Sequence, residues 1–183
     1  MPWVLVVLAV VVAVGLWLVV TYNGFVRGRN RVDNAWAQVE VQLKRRWDLI
    51  PNLVETVKGY AGHERATFEA VTEARAGAQR ADTPAATAAA EGVLGQALGR
   101  LFALAEAYPD LKADAGFRQL QAELAETENR IAVSRQIYND ATLTYNNGIQ
   151  VLPGALVARP FGFAPKEYFE AEGAEREAPD VTF

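Results

Sequence analysis

No cysteine occurs among the 183 residues, and histidine and serine appear once each, as His63 and Ser134. Those scarcities exclude whole classes of chemistry. A thiolate nucleophile, a Cys-bound metal, a disulfide framework and a His-rich zinc site are ruled out by inventory alone. A Ser-His-Asp triad would need Ser134 to meet His63, and no GxSxG elbow surrounds Ser134. A carboxylate-bridged di-metal bundle needs two Glu-x-x-His pairs, whereas the residue three before His63 is Tyr60. No GxxxxGK[ST] phosphate loop is present. A formal net charge of −4 argues against a broad nucleic-acid surface, since phosphate contacts supply most of such binding. The expectation is therefore a non-enzymatic chain with no catalytic residue, no cofactor, no metal and no nucleic-acid partner. His63, in the stretch GYAGHE, reads as a solvated residue.

What the chain does have, at its start, is WVLVVLAVVVAVGLWLVV, an uncharged run from Trp3 to Val20. As a helix its eighteen positions span about 27 Å, close to the hydrocarbon thickness of a bilayer. An unbroken run of Val and Leu without a polar face does not suit a core helix of a soluble domain. No Lys or Arg precedes it and no A-x-A site follows, which favours an anchor over a cleaved signal. Residues 3–22 are accordingly expected to form a transmembrane helix, with Trp3, Trp17 and Tyr22 at headgroup level. Arg27, Arg29 and Arg31 follow directly, so the positive-inside rule places the N-terminus outside and the C-terminal domain in the cytoplasm.

The remainder reads as all-α, an elongated antiparallel bundle of three to four long helices over 23–152. Val32, Trp36, Val39, Leu43, Trp47, Ile50, Val54, Val57 and Ala61 recur at steps of three and four, a heptad-like coiled-coil seam that predicts one helix over about 30–80. Pro51 interrupts it. Proline removes the hydrogen bond to the carbonyl of Trp47 at a cost of ~3 kcal/mol in a helix interior. Because the seam keeps phase on both sides, a kinked helix is expected there, with a break after Ile50 as the alternative. Asp82 or Thr83 before Pro84 marks the start of a helix over 84–107. A third helix over 112–151 follows the seam Phe117, Leu120, Leu124, Thr127, Ile131, Ser134, Tyr138, Ala141 and Tyr145. Thr127 and Ser134 read as register-setting hydroxyls rather than chemistry. From 153 to 183 the chain turns irregular, first apolar in VLPGALVARPFGF and then acidic. The apolar part needs cover from the bundle, a neighbouring chain or lipid.

The stretch YNGFVRGRNRVDNAWAQVEVQLKRRWDLIPNLVETVKGYAGHE strongly resembles the signature of the LemA family of bacterial membrane proteins, as does RQIYNDATLTYNNGIQVLPGALVARPFGFAPKEYFE. The resemblance implies a single N-terminal span in the bacterial inner membrane carrying a helical bundle, without an established enzymatic activity. A related branch belongs to magnetosome membranes, which points to membrane organisation. No catalytic residues carry over from it.

Charge divides the chain into opposing parts. Arg27, Arg29, Arg31, Lys44, Arg45 and Arg46 outnumber Asp33, Glu40 and Asp48 in a basic arm below the span. Each cation close to an anionic leaflet contributes about 1 kcal/mol. On an upright helix Lys44 to Arg46 would stand ~36 Å beyond Val20, too far to feel lipid, unless a bend at Gly24 and Gly28 lays the helix along the surface. From Ala164 on, Lys166 and Arg176 face Glu167, Glu170, Glu172, Glu175, Glu177 and Asp180. The acidic tail, with Phe163, Tyr168 and Phe169 as apolar anchors, is expected to dock on the basic arm of a second copy, with Lys44, Arg45, Arg46 and Pro51 shaping the contact. Membrane lipid and a homo-oligomer are thus the expected partners of a self-associating scaffold. An adaptor for another membrane protein, a protease or a signalling receptor, is the alternative.

Overall fold

The computed structural model describes residues 2–170. Helix accounts for 84% of them and no strand occurs among them, so the all-α class holds. The elements are α1 (Pro2–Lys58), α2 (Arg65–Arg80), α3 (Pro84–Glu106), α4 (Pro109–Ala113), α5 (Ala115–Gln150) and α6 (Gly154–Ala158). They fall into two compact units, and α1 and α5 contribute to both. Unit 1 takes α1 up to Gln38 together with Gln136–Lys166; unit 2 takes Val39–Arg135 and the described residues from Glu167.

In unit 1 the apolar start of α1 is long and apolar enough to cross a membrane, and none of it is buried against the protein. Below it, α1 and α5 run antiparallel. Trp36 meets Tyr138 at 5.2 Å between ring centroids, Gly28 lies under Tyr145, and Gly148 lies against Phe25, so partner numbers rise as α1 numbers fall. Gly28 is a close approach: a Cβ there would come within 3.2 Å of the Tyr145 ring. α1 continues as helix through Gly24 and Gly28. Val32, Ala35, Tyr138, Tyr145 and Ile149 form the buried seam of this unit.

Unit 2 packs the lower part of α1, the first part of α5, and α2 to α4 around Ile50, Leu53, Val57, Val71, Leu94 and Leu101. The helix expected to reach Arg80 ends at Lys58 instead. Gly59 and Gly62 each weaken helix by up to ~1 kcal/mol, and the chain turns there, with Ala61 N–H donating to the Val57 carbonyl at 2.9 Å and the Ala61 methyl buried. The seam continued in phase through Ala61, which hid the corner: a residue at a buried turn satisfies the same periodicity. Thr83 caps α3 by accepting from the Ala86 N–H at 3.2 Å, with Pro84 in first position. α5 starts three residues later than the seam suggested. Asp114 stops α4, takes extended backbone, and caps α5 by accepting from Phe117 N–H at 2.7 Å. Thr127 is fully buried and turns its hydroxyl back to the Glu123 carbonyl at 2.7 Å, which satisfies it without a partner helix.

Pro51 lies inside α1, which does not end there. The Trp47 carbonyl, deprived of its usual donor by the proline, accepts a hydrogen bond from Arg75 Nε of α2 at 2.8 Å. A side chain from the next helix thus replaces the missing backbone N–H. Replacing Arg75 by Ala should lower unfolding stability by about 1–3 kcal/mol in the wild-type background, because the carbonyl is left unpaired. In a Pro51→Ala background, where the substituted residue supplies its own N–H, the same replacement should cost clearly less. Denaturant unfolding of the four proteins in this double-mutant cycle measures the difference.

Candidate membrane-interface site

The functional features gather where α1 leaves its apolar run. Tyr22 stands two residues past Val20, and its ring meets those of Phe161 and Phe163 edge-on at 5.2 and 5.5 Å. Phe25 meets Phe163 at 5.4 Å, and the Arg29 guanidinium lies 5.7 Å from the same ring. Phe163 is therefore seated within its own chain, not held free for a second copy. The seat exists because the chain folds back. Gly162 takes a left-handed backbone (φ +72°), and the Phe163 N–H donates to the Ala158 carbonyl at 3.0 Å.

Side chains of α5 then strap this returning segment. Asn146, buried in the last turns of α5, donates from Nδ2 to the Lys166 carbonyl at 2.9 Å and accepts the Lys166 N–H at Oδ1 at 2.8 Å. Its amide acts as a short length of strand would, satisfying both backbone groups of one residue. The Tyr145 hydroxyl donates to the Ala164 carbonyl at 3.2 Å, and burial pushes the phenol above its ordinary range, with Arg29 and Lys166 opposing. Lys166 Nζ closes the clasp on Asp33 of α1 at 2.8 Å. Sequence reasoning missed the roles of Phe25, Tyr145 and Asn146 here. Extending the α5 period one turn beyond Tyr145 places Gly148 and Ile149 on the same face, which signals a packed surface continuing past the predicted seam.

The cations of the basic arm part company. Arg27 and Arg31 are exposed and line a shallow hollow of ≈ 350 Å³ with Asn30, Asn34, Gln38 and Ile137. Neither makes an ion pair among the described residues. Trp3 is 70% exposed and Trp17 37%, each at one end of the apolar run. Lys44 pairs with Asp48 on the surface at 3.3 Å, and Arg45 and Pro51 are exposed. Tyr168 is half-buried and Phe169 buried. The acidic positions Glu172, Glu175, Glu177 and Asp180, with Arg176, lie outside the described residues. Among the described residues no three His, Asp or Glu side chains are placed to hold a metal.

Arg46 is the correction. It is no part of a cationic face: it is buried in unit 2, pairing with Glu91 of α3 at 2.8 Å and Glu128 of α5 at 3.0 Å. Trp47 Nε1 donates to the other Glu91 oxygen at 2.7 Å, so both carboxylate oxygens have donors. One turn to either side of Glu91 on α3 stand the small residues Thr87, Ala88 and Gly95, and a Cβ at Gly95 would come 3.9 Å from Arg46 Nη2. Desolvation raises the Glu91 carboxyl above 4.5, and Arg46 and Trp47 offset only part of that, with Glu128 adding to the rise.

A carboxyl whose folded pKa is raised binds its proton more tightly in the folded than in the unfolded chain. Its contribution to stability is thus largest at low pH and is lost as pH rises from about 4.5 through the raised folded value. Glu91→Gln should abolish that negative slope relative to wild type when unfolding is followed across this range. Glu91→Ala, which strands Arg46 with Glu128 alone, should cost about 3–5 kcal/mol at neutral pH.

A family model described as the LemA family matches residues 35–183. Magnetosome protein MamQ 2 of Paramagnetospirillum magneticum is 30% identical over 190 residues, spanning 90% of this chain and 70% of its own length. Magnetosome protein MamQ of Magnetospirillum gryphiswaldense is 28% identical, spanning 86% of this chain and 67% of its own length. Protein LemA of Metamycoplasma hominis is 24% identical over 87% of this chain and 74% of its own. With a match that takes in unit 2 entire and most of the clasp, the chain belongs to the LemA family.

Proposed function

We propose that the chain is a non-enzymatic, membrane-anchored helical scaffold that self-associates in the plane of the membrane. The observation that carries the reading is the continuity of α1. One helix passes from a wholly exposed apolar run into the buried seams below it, with no linker between. In lipid every backbone polar group has to be satisfied within the segment, which an uninterrupted helix does. Aqueous solvent would leave the apolar run as an exposed patch far larger than soluble monomers carry. Arg27, Arg29 and Arg31 on its C-terminal flank favour an N-terminus outside and a bundle in the cytoplasm. Exposed Val41, Val93 and Val133 in unit 2, and Ile137 and Leu143 in unit 1, are surfaces on which copies would meet.

The chain should remain with membranes through alkaline carbonate extraction, and recovery in the soluble fraction would end the anchored reading. In lipid nanodiscs its particle mass should exceed that of one copy. A single copy together with a stoichiometric foreign protein, when the complex is drawn from native membranes, would replace the scaffold by an adaptor. Because the chain has no cysteine, orientation is read from single introduced ones. Ala122→Cys, exposed on α5, should react with a membrane-impermeant maleimide only after cells are permeabilised.

A further inference from the structure

Unit 1 ends in an apolar surface that none of the described residues covers. Val151, Leu152, Leu156 and Phe161 are 61%, 69%, 66% and 58% exposed, while α6 turns only Val157 and Ala158 inward. A soluble loop of this kind normally carries polar residues. These side chains are also held in place. A Cβ at Gly154 would lie 2.2 Å from the Gly148 carbonyl oxygen and 3.1 Å from the Phe25 ring, so α6 is pressed against α5 and α1. Phe161 is fixed to Tyr22 by the edge-on ring contact.

Their height relative to the apolar run follows from the antiparallel register. Gly148 lies beside Phe25, and both helices advance 1.5 Å per residue, so Val151 comes level with Tyr22. Tyr22 stands about 3 Å beyond Val20. Val151 by this register and Phe161 by its contact with Tyr22 thus place the apolar surface at the exit of the span. Charge at this end has one dominant sign. The described residues of unit 1 carry Arg27, Arg29, Arg31, Arg159 and Lys166 against Asp33, already paired with Lys166, and Asp140. Side chains on a helix lean toward its N-terminus, which carries the α1 cations toward the bilayer.

We infer that residues 151–161 are a lipid-seated foot. Leu152, Leu156 and Phe161 enter the boundary between headgroups and acyl chains beside the span, and Arg159 with the α1 arginines holds anionic headgroups. The inference rests on the membrane-anchored reading of α1. Aliphatic and aromatic side chains at that depth, ringed by arginine, are the composition of an interfacial element. The attraction to anionic lipid falls off over a Debye length of about 8–10 Å; at 1.5 Å per residue Arg27 stands about 10 Å beyond Val20 and Arg31 about 16 Å, so the pull weakens from Arg27 to Arg31.

The test uses the full-length chain in bilayers of phosphatidylcholine, with and without phosphatidylglycerol. Nitroxides are placed singly by Leu156→Cys and Phe161→Cys, with Val11→Cys in the span and Ala122→Cys in unit 2 as references. Collision rates with oxygen and with a water-soluble nickel chelate report depth. Labels at 156 and 161 should favour oxygen several-fold more than the label at 122, and more strongly in the anionic bilayer. Arg159→Gln should move both toward their neutral-lipid values. Labels at 156 and 161 as open to the chelate as that at 122, while the label at 11 stays immersed, would overturn the foot and leave the anchor intact. Chelate access at 11 would instead overturn the anchor. Labels shielded from both reagents and broadening one another as protein density rises would assign the face to a second copy, which also overturns the inference.

Discussion

A single carbonyl governs how unit 2 can be built. The proline at position 51 takes away the donor for Trp47, and the guanidinium of Arg75 supplies another. Because the helix survives, the residues on either side of the proline remain in one phase. Arg46 and Trp47 upstream then reach Glu91, while Ile50, Leu53 and Val57 downstream reach the core. Were α1 to end at Ile50, the azimuth of every later residue would be free, and the corner at Gly59 would lose its place. The bond also draws α2 to α1, so the replacement donor doubles as a packing restraint between helices adjacent in sequence.

The two units solve the same problem with different chemistry. Unit 2 buries an ion pair, Arg46 with Glu91, to which Trp47 adds its indole N–H and Glu128 a carboxylate from the surface. Losing either buried partner leaves the other charge desolvated. Unit 1 buries instead the neutral amide of Asn146 against backbone and leaves its one ion pair among the described residues, Asp33 with Lys166, at the surface. Neutral hydrogen bonds are less sensitive to salt and pH than an ion pair is. Asn146 also gives direction: its amide offers a donor and an acceptor side by side to the N–H and carbonyl of one residue.

Periodicity made much of this legible. The seam from Val32 to Val57 and the seam of α5 were present as spacing, because each reflects a face that has to be buried, while the apolar run and the cap at Thr83 were present as composition and as a residue choice before proline. What spacing could not convey is the identity of the partner. Arg46 looked like its neighbours Lys44 and Arg45, since its partners lie 45 and 82 positions away in sequence. The corner at Gly59 was masked because Ala61 fits a helical seam and a buried turn equally well. Phe163 read as an anchor awaiting a neighbour, but its seat is made by Tyr22 and Phe25, which the span's own pattern had absorbed. Residues that act by meeting something distant leave no local signature.

The absence of any linker between the apolar run and unit 1 has a mechanical consequence. Spans adjust to bilayers of different thickness by tilting, at a fraction of a kcal/mol per ångström of mismatch. A flexible joint would absorb that rotation, but α1 is hydrogen-bonded without interruption through Thr21 to Gln38, and the Asn146 strap stiffens it from the side. In a membrane-anchored chain, an angle imposed on the apolar run would be passed on to the helices of unit 1. Membrane thickness would then set the direction in which unit 1 points, making its orientation a gauge of the bilayer that holds it.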